Sequence, residues 1–129
     1  MTYHDPCYLA RGRGITQAPR QILRACGISL TESSHHGQNT SCCGAGGAQL
    51  FITDDRREGA KERANQRRFA ELAETKASTV AVACPYCPIM LRDAAGHAKR
   101  EDMAILDVAE IVAMRLRKPG GNEECKSAP

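Results

Sequence analysis

The feature that most constrains this chain is the placement of its cysteines. Seven of them stand in 129 residues, at positions 7, 26, 42, 43, 84, 87 and 125. Five fall into three groups, Cys7, the adjacent pair Cys42-Cys43, and Cys84 with Cys87, and each group follows a segment that reads as a β-strand. Residues 2–4 make a short strand ended by Asp5-Pro6, 28–32 alternate in strand fashion ahead of a polar loop over 33–41, and 79–83 (TVAVA) form the most apolar strand.

The intervening stretches read as helices. Residues 11–14 are a glycine-rich loop, after which Pro19 suits the first turn of a helix to 26, with Ile22, Leu23 and Cys26 on one face and Gly27 ending it. A long charged helix is predicted over 54–76, with Asp54 and Asp55 at its start and Lys76 at its end. Its apolar stripe is thin: Ala60, Ala64, Leu72 and Ala73, with Phe69 at the edge. Its arginines, Arg56, Arg57, Arg63, Arg67 and Arg68, read as a solvated face. Helix 85–97, strand 104–106 and a helix capped by Asp107 and running to 118 complete the pattern. Alternating strands and helices predict an α/β fold, a small doubly wound parallel sheet of about four strands flanked by helices. Residues 1–118 make one domain, and 119–129 a disordered polar tail.

Open parallel sheets bind ligands outside the carboxyl ends of their strands. Three chain segments therefore deliver Cys7, Cys42, Cys43, Cys84 and Cys87 to one crevice. Zinc sites take four ligands, as do ordinary iron–sulfur clusters, so five thiols with two adjacent are a surplus. Adjacent cysteines reach one ion only at distorted angles but can serve neighbouring irons. Gly44, Gly46 and Gly47 let backbone N–H groups approach sulfur, Pro85 and Pro88 open a helix whose positive end faces the thiolates, and Arg11, Arg13 and Arg20 add positive charge. An iron–sulfur cluster is favoured over zinc. Metal-free redox thiols using Cys84 and Cys87 come third, since the Cys84-Pro-Tyr-Cys87 run alone reads as a dithiol motif.

Composition narrows the function classes. A net charge of +3 and two Phe, three Tyr and no Trp do not make a nucleic-acid-binding surface. No apolar run is long enough to span a bilayer, and the N-terminal MTYHDPC is not a signal peptide, so a cytoplasmic location is expected. The abrupt entry into a strand at Met1 reads as a piece of something longer. Large apolar side chains are few: 8 Leu, 7 Ile, 4 Val and 2 Phe against 19 Ala. Burial at about 25 cal/mol per Å² then struggles to offset ordering at about 1.5 kcal/mol per residue, and a metal centre is a natural staple. The glycines at 12, 14, 44, 46 and 47 fail the dinucleotide-binding pattern, because Gln17 and Gln49 hold its third glycine position.

The ordered pattern Cys7, Cys42-Cys43-Gly44 and Cys84-Pro85-Tyr86-Cys87, opened by Tyr3-His4-Asp5-Pro6, resembles the cysteine-rich CCG domain over residues 2–115. That domain occurs in the B- and D-type subunits of heterodisulfide reductase, in iron–sulfur subunits of glycolate oxidase and anaerobic glycerol-3-phosphate dehydrogenase, and in reductases fed by electron-transfer flavoprotein. The resemblance implies a [4Fe–4S] centre, non-cubane in the best-described members, held by Cys7, Cys42, Cys43, Cys84 and Cys87. It implies an electron-transfer domain of an iron–sulfur oxidoreductase, passing electrons between a flavin or iron–sulfur partner and a disulfide or quinone acceptor. Partner domains or subunits would place it at the cytoplasmic face of a membrane. Family members carry two such domains, and this one resembles the C-terminal copy, so the isolated chain is expected to need its partners for turnover. The alternatives from other classes are a structural zinc module and a thiol–disulfide oxidoreductase. Beside the motif, His4 reads as a strand or supporting residue rather than a ligand, His35 and His36 as solvated loop, Tyr8 and Tyr86 as shields of the centre, Cys26 as a buried helix residue and Cys125 as an exposed thiol.

Overall fold

The computed structural model describes residues 1–51 and 62–116. Three parallel strands make the sheet: β1 (Thr2–Tyr3), β2 (Thr79–Val82) and β3 (Ala104–Asp107), in the order β1-β2-β3. Thr2 pairs with Val80 and Tyr3 with Ala81, while Thr79 to Val82 pair in step with Ala104 to Asp107. The most apolar strand is therefore central, as its composition requires.

Four helices cover the two faces: α1 (Gln17–Ala25), α2 (Ala64–Ala73), α3 (Cys87–His97) and α4 (Val108–Leu116). Successive side chains of a strand point to opposite faces, and β2 shows it. Val80 and Val82 pack with Phe69 and Leu72 of α2 and Leu91 and Ala94 of α3. Ala81 packs the other way, with Leu23 of α1 and Val108 and Ile111 of α4. Helices on both faces of a parallel sheet are the doubly wound arrangement the sequence predicts.

Among the described residues the sheet has three strands rather than about four. Segment 28–32 does run beside the start of β1, where Met1 donates from its amino group to the Ser29 carbonyl at 3.3 Å and accepts from the Thr31 N–H at 2.9 Å. Among the described residues its backbone bonds to this edge are both at Met1, the residue before β1. Past Thr31 the chain turns away, because Glu32 is drawn to Arg20 and Ser33 bonds back to the His35 carbonyl.

The long charged helix is also shorter than predicted. Helix α2 starts at Ala64, with Arg63 in extended geometry (φ −75°, ψ 153°) and its N–H bonded to the Gln66 side chain at 3.1 Å. Residues 54–61 of the predicted helix, with Ala60, Arg56 and Arg57, lie outside the described residues. Arg67 is exposed, but Arg68 is wholly buried, so the solvated-arginine reading fails there. Leu23 is buried in α1, whereas Ile22 is exposed and Cys26 half-exposed, because that helix lies on the sheet along a narrower stripe than the spacing suggests.

Helix α4 starts as predicted: the Asp107 carboxylate accepts from the Ala109 N–H and Glu110 accepts from the Asp107 N–H, each at 2.8 Å, a reciprocal cap. The predicted end of α4, the tail at 119–129 and Cys125 lie outside the described residues. No helix among the described residues is long and apolar enough to cross a membrane.

Candidate metal centre

Each of the three thiol-bearing segments leaves the carboxyl end of a strand or the loop beside it. Beyond β1, His4 continues the pairing by donating its N–H to the Ala81 carbonyl at 2.9 Å. Asp5-Pro6 then turns the chain, and Cys7 enters a tight turn over Tyr8–Gly12, pinned by the Ala10 N–H to the Pro6 carbonyl. Beyond β2, Cys84 precedes a turn whose Cys87 N–H bonds the Cys84 carbonyl at 3.3 Å. Cys87 is the first residue of α3, followed by Pro88, which needs no hydrogen-bond acceptor in a first turn.

The middle segment carries Cys42 and Cys43 on a loop. Gly44 follows with φ +84°, and a Cβ there would stand 3.0 Å from that of Ala64. Glycine at this position lets the loop close against α2. The turn also aims the Gly44 N–H at the Cys42 sulfur, 3.3 Å away, and the Ala45 N–H at that of Cys43. The predicted approach of backbone amides to sulfur is present.

Cys7, Cys42, Cys43, Cys84 and Cys87 all line one cavity of about 370 Å³. Cys43 and Cys87 are buried at its base; Cys7, Cys42 and Cys84 are half-buried. The adjacent pair serves two places. Cys42 faces Cys7 at a sulfur–sulfur distance of 4.0 Å, and Cys43 faces Cys87 at 3.4 Å. The remaining wall is largely apolar, with Tyr8, Phe51 and Tyr86 at the mouth, all more than half exposed. The two tyrosines thus stand beside the cavity as predicted while remaining wet themselves.

This setting keeps Cys42 and Cys43 protonated when no cation is bound. A hydrogen bond with Cys43, and then burial, push Cys42 well above the ordinary thiol range. For Cys43 the bond with Cys42 works downward, but Cys87 and burial outweigh it and the thiol rises to about 11. A cation that coordinates the sulfurs displaces these protons to solvent, so the thiols ionise on binding it.

Two buried arginines hold the loops in place. Arg20 of α1 binds Asp5 through both carboxylate oxygens at 2.7 and 2.8 Å, Glu32 likewise at 2.7 and 2.8 Å, and the Thr16 carbonyl at 2.7 Å. Asp5 also accepts the Gly37 N–H at 2.8 Å, which ties the first thiol loop to the approach of the second. Burial alone would raise the Asp5 carboxyl, but Arg20 and Gly37 overcome it and hold it below its ordinary value. Arg20 is thus spent on structure and does not lend its charge to the thiols, contrary to expectation; Arg11 and Arg13 are exposed.

Arg68 of α2 reaches the same loops from the other side. It donates to His4 Nδ1 at 3.0 Å, Ser33 Oγ at 3.2 Å, the His35 carbonyl at 2.8 Å and Glu71 at 2.8 Å. Glu71 in turn accepts from Ser41, next to Cys42, at 2.9 Å. His35 and His36 are exposed, as a solvated loop predicts.

His4 is wholly buried, and a ring nitrogen lies within 4.8 Å of the Cys43 and Cys87 sulfurs. Burial first, and then the charge of Arg68, lower its pKa to about 3, so the ring is neutral. Sequence reasoning placed His4 beside the centre but missed Arg68. The signal was present in the spacing Asn65, Arg68, Phe69, Leu72, an inward helical stripe in which two polar residues complete the apolar ones.

The family model described as "CCG: Cysteine-rich domain" matches residues 1–92. Among curated proteins, the chain is 43% identical over 116 residues to a "Probable membrane-anchored ferredoxin" of Chromohalobacter salexigens, covering 90% of this chain and 17% of that protein. It is 32% identical to the "EtfAB:quinone oxidoreductase" of Syntrophomonas wolfei, over 87% of this chain and 16% of that protein. It is 34% identical to one subunit of the dihydromethanophenazine:CoB--CoM heterodisulfide reductase of Methanosarcina barkeri, over 90% of this chain and 27% of that protein. The chain thus spans between 16% and 27% of the length of these relatives. No solved structure matches it.

Proposed function

Because the chain belongs to the cysteine-rich CCG domain family, we propose that its thiol cavity holds an iron–sulfur cluster and that the domain transfers electrons within a larger oxidoreductase. The observation that carries the proposal is the convergence of five thiols from three segments on one cavity of about 370 Å³. An all-thiol donor set suits soft metal centres, iron–sulfur clusters among them. The split of the adjacent pair, Cys42 toward Cys7 and Cys43 toward Cys87, suits a centre with more than one metal ion, because the two sulfurs need not meet at a single point.

In this reading Cys7, Cys42, Cys43, Cys84 and Cys87 are the ligands of a [4Fe–4S] centre. When bound, such a centre supplies one-electron chemistry at a potential set by charge, hydrogen bonds to sulfur and solvent exposure. The residues of this chain supply the setting. The Gly44 N–H stabilises negative charge on Cys42, and the first turn of α3 does the same at Cys87. The apolar wall keeps water from the base, while the exposed Tyr8, Phe51 and Tyr86 leave one side open to a redox partner.

The donor is a flavin or iron–sulfur partner and the acceptor a disulfide or a quinone, in line with relatives named as a quinone oxidoreductase and as part of a heterodisulfide reductase. The site is cytoplasmic. Membrane association comes through partner domains or subunits, in line with a relative named as membrane-anchored. Anaerobic purification followed by iron, sulfide and zinc analysis and EPR tests the proposal. About four irons and matching sulfide are expected, with an EPR signal in one redox state. One zinc without sulfide would establish a structural zinc module instead, and a metal-free protein with a titratable cysteine disulfide a thiol–disulfide oxidoreductase.

A further inference from the structure

We propose that His4 donates an Nε2–H hydrogen bond to sulfur at the Cys43–Cys87 end of the cavity, and that Arg68 is the positioning residue that fixes this tautomer. A guanidinium carries N–H donors and no acceptor, and the Nε–H of Arg68 points at His4 Nδ1 from 3.0 Å. Nδ1 must therefore present its lone pair. The proton of the neutral ring then resides on Nε2.

That Nε2 is buried and has no hydrogen-bond partner among the described residues. A buried N–H is costly to leave without an acceptor, so the arrangement is completed by a group that accepts. With Nδ1 engaged by Arg68, Nε2 is the nitrogen left to face the Cys43 and Cys87 sulfurs, which lie within 4.8 Å of the ring. Metal-bound thiolates are such acceptors.

The same geometry excludes His4 as a metal ligand. Ligation through Nε2 would need the proton on Nδ1, where it would confront the Nε–H of Arg68. His4 therefore acts on the centre through an N–H, as the Gly44 amide does for Cys42. An N–H aimed at sulfur stabilises the more negative, reduced state and raises the potential. This redox consequence rests on the iron–sulfur reading; the tautomer itself does not.

The experiment uses the anaerobically loaded protein labelled with 15N-histidine. In the reduced, EPR-active state, pulsed hyperfine spectroscopy should show a weakly coupled histidine nitrogen and an exchangeable proton. A strong coupling typical of a directly bound nitrogen would overturn the proposal, and so would the absence of any histidine coupling. His4→Leu should lower the midpoint potential and abolish both couplings. His4→Gln, whose amide can accept from Arg68 and donate onward, should restore most of the potential. Equal potentials in all three proteins would also overturn it. If His4→Leu does not fold, the wild-type spectrum still decides. Should metal analysis find zinc and no sulfide, the iron–sulfur reading fails separately. In that diamagnetic form 15N NMR reads the tautomer directly: a proton on Nε2 of His4 supports the assignment and a proton on Nδ1 refutes it.

Discussion

The two ends of this chain are built by different physics around one sheet. From β2 onward, order comes from ladder hydrogen bonds and aliphatic packing, with Val80, Val82, Leu91, Ala94 and Ile105 all within 5% of full burial. From Met1 to Phe51 the sheet contributes two residues, and the loops that carry Cys7, Cys42 and Cys43 are held by Arg20 and Arg68. Apolar contacts are strong in sum but have no preferred direction. A strand already has its direction from the ladder, so apolar contacts suffice there. A loop that must aim a thiol has none, and a guanidinium with five N–H donors in a fixed fork supplies it.

That contrast implies a difference in fragility. Arg68→Met should cost about 3–5 kcal/mol, the range for leaving a buried charged partner and several acceptors unsatisfied. Glu71, Ser33 and the His35 carbonyl all lose a donor in that variant. Arg68→Lys should rescue little, because one ammonium cannot reach acceptors spread around a planar fork. Urea denaturation measures both; a loss under about 1 kcal/mol for Arg68→Met would show that the loops are held by something else.

On the aliphatic side, Leu91→Ala should cost about 2–5 kcal/mol by opening a cavity in a fully buried site. The two variants separate in a second readout. Leu91→Ala should leave the metal content of the anaerobically purified protein largely unchanged, whereas Arg68→Met should reduce it. Arg68 hydrogen-bonds His4, Ser33 and the His35 carbonyl and so aims the loops, while Leu91 only packs within the apolar cluster that also holds Cys43 and Cys87. Equal loss of metal in both would erase the distinction between the two ends.

The same division explains what could be read in advance. The strands at TVAVA and 104–106, the caps at Asp107 and Gly27 and the five converging thiols follow from local pattern, and the structure repeats them. The extra strand at 28–32 and the solvated arginines do not. A strand needs a ladder of matching length, and the backbone bonds of that segment to this edge are at Met1, ahead of β1. An arginine reads as surface unless its acceptors are known, and those of Arg68 come from residues 4, 33 and 35 as well as its own helix. The helical spacing can put Arg68 on the inward face, but which distant acceptors meet it leaves no periodic trace, whereas alternation and capping do.

Backbone strain gives a smaller test within the thiol-loop half. Gly44→Ala should cost about 1–3 kcal/mol, because φ is +84° and the new Cβ would meet that of Ala64 at 3.0 Å. Gly47→Ala, at φ +64° with nothing within 4 Å of its Cβ, should cost less, about 1 kcal/mol. Adding Ala64→Gly to Gly44→Ala should recover the steric share and leave the backbone share, a difference that a double-mutant cycle reads.

Acid probes the polar half without mutation. His4 titrates near 6.5 in the unfolded chain and near 3 in the folded one, so between those values the unfolded state binds more protons. Its contribution to stability is complete above about pH 6.5 and shrinks as the pH falls toward 3. Asp5 is depressed in the folded state, so its contribution is present above about pH 3.9 and is lost as the pH falls through its lower folded value. The groups that face Asp5 are Arg20 from α1, the Gly37 N–H, His4 and Tyr3, with Glu32 on the far side of Arg20. Stability of the metal-free chain should therefore fall in two stages on acidification, and Asp5→Asn should flatten the lower one. A profile unchanged from about pH 7 to 3 would refute the His4 assignment, and a lower stage that Asp5→Asn leaves unaltered would refute that of Asp5.

The smallest effect concerns an ion pair of the same chemical kind. Arg100 and Asp102 meet in a two-bonded contact, with Nε to Oδ1 at 2.9 Å, much as Arg20 meets Asp5 at 2.7 Å. The difference is water: Arg100 and Asp102 are exposed, while the Arg20 and Asp5 side chains are at most 4% exposed. In water, screening and the entropy of fixing two mobile side chains cancel most of the attraction. Asp102→Asn should leave the urea midpoint unchanged within error, while Asp5→Asn, which loses a buried charge opposite Arg20, should lower it measurably. If both variants behave alike, burial is not what makes the arginines of the thiol loops matter, and the contrast between the two halves fails at its root.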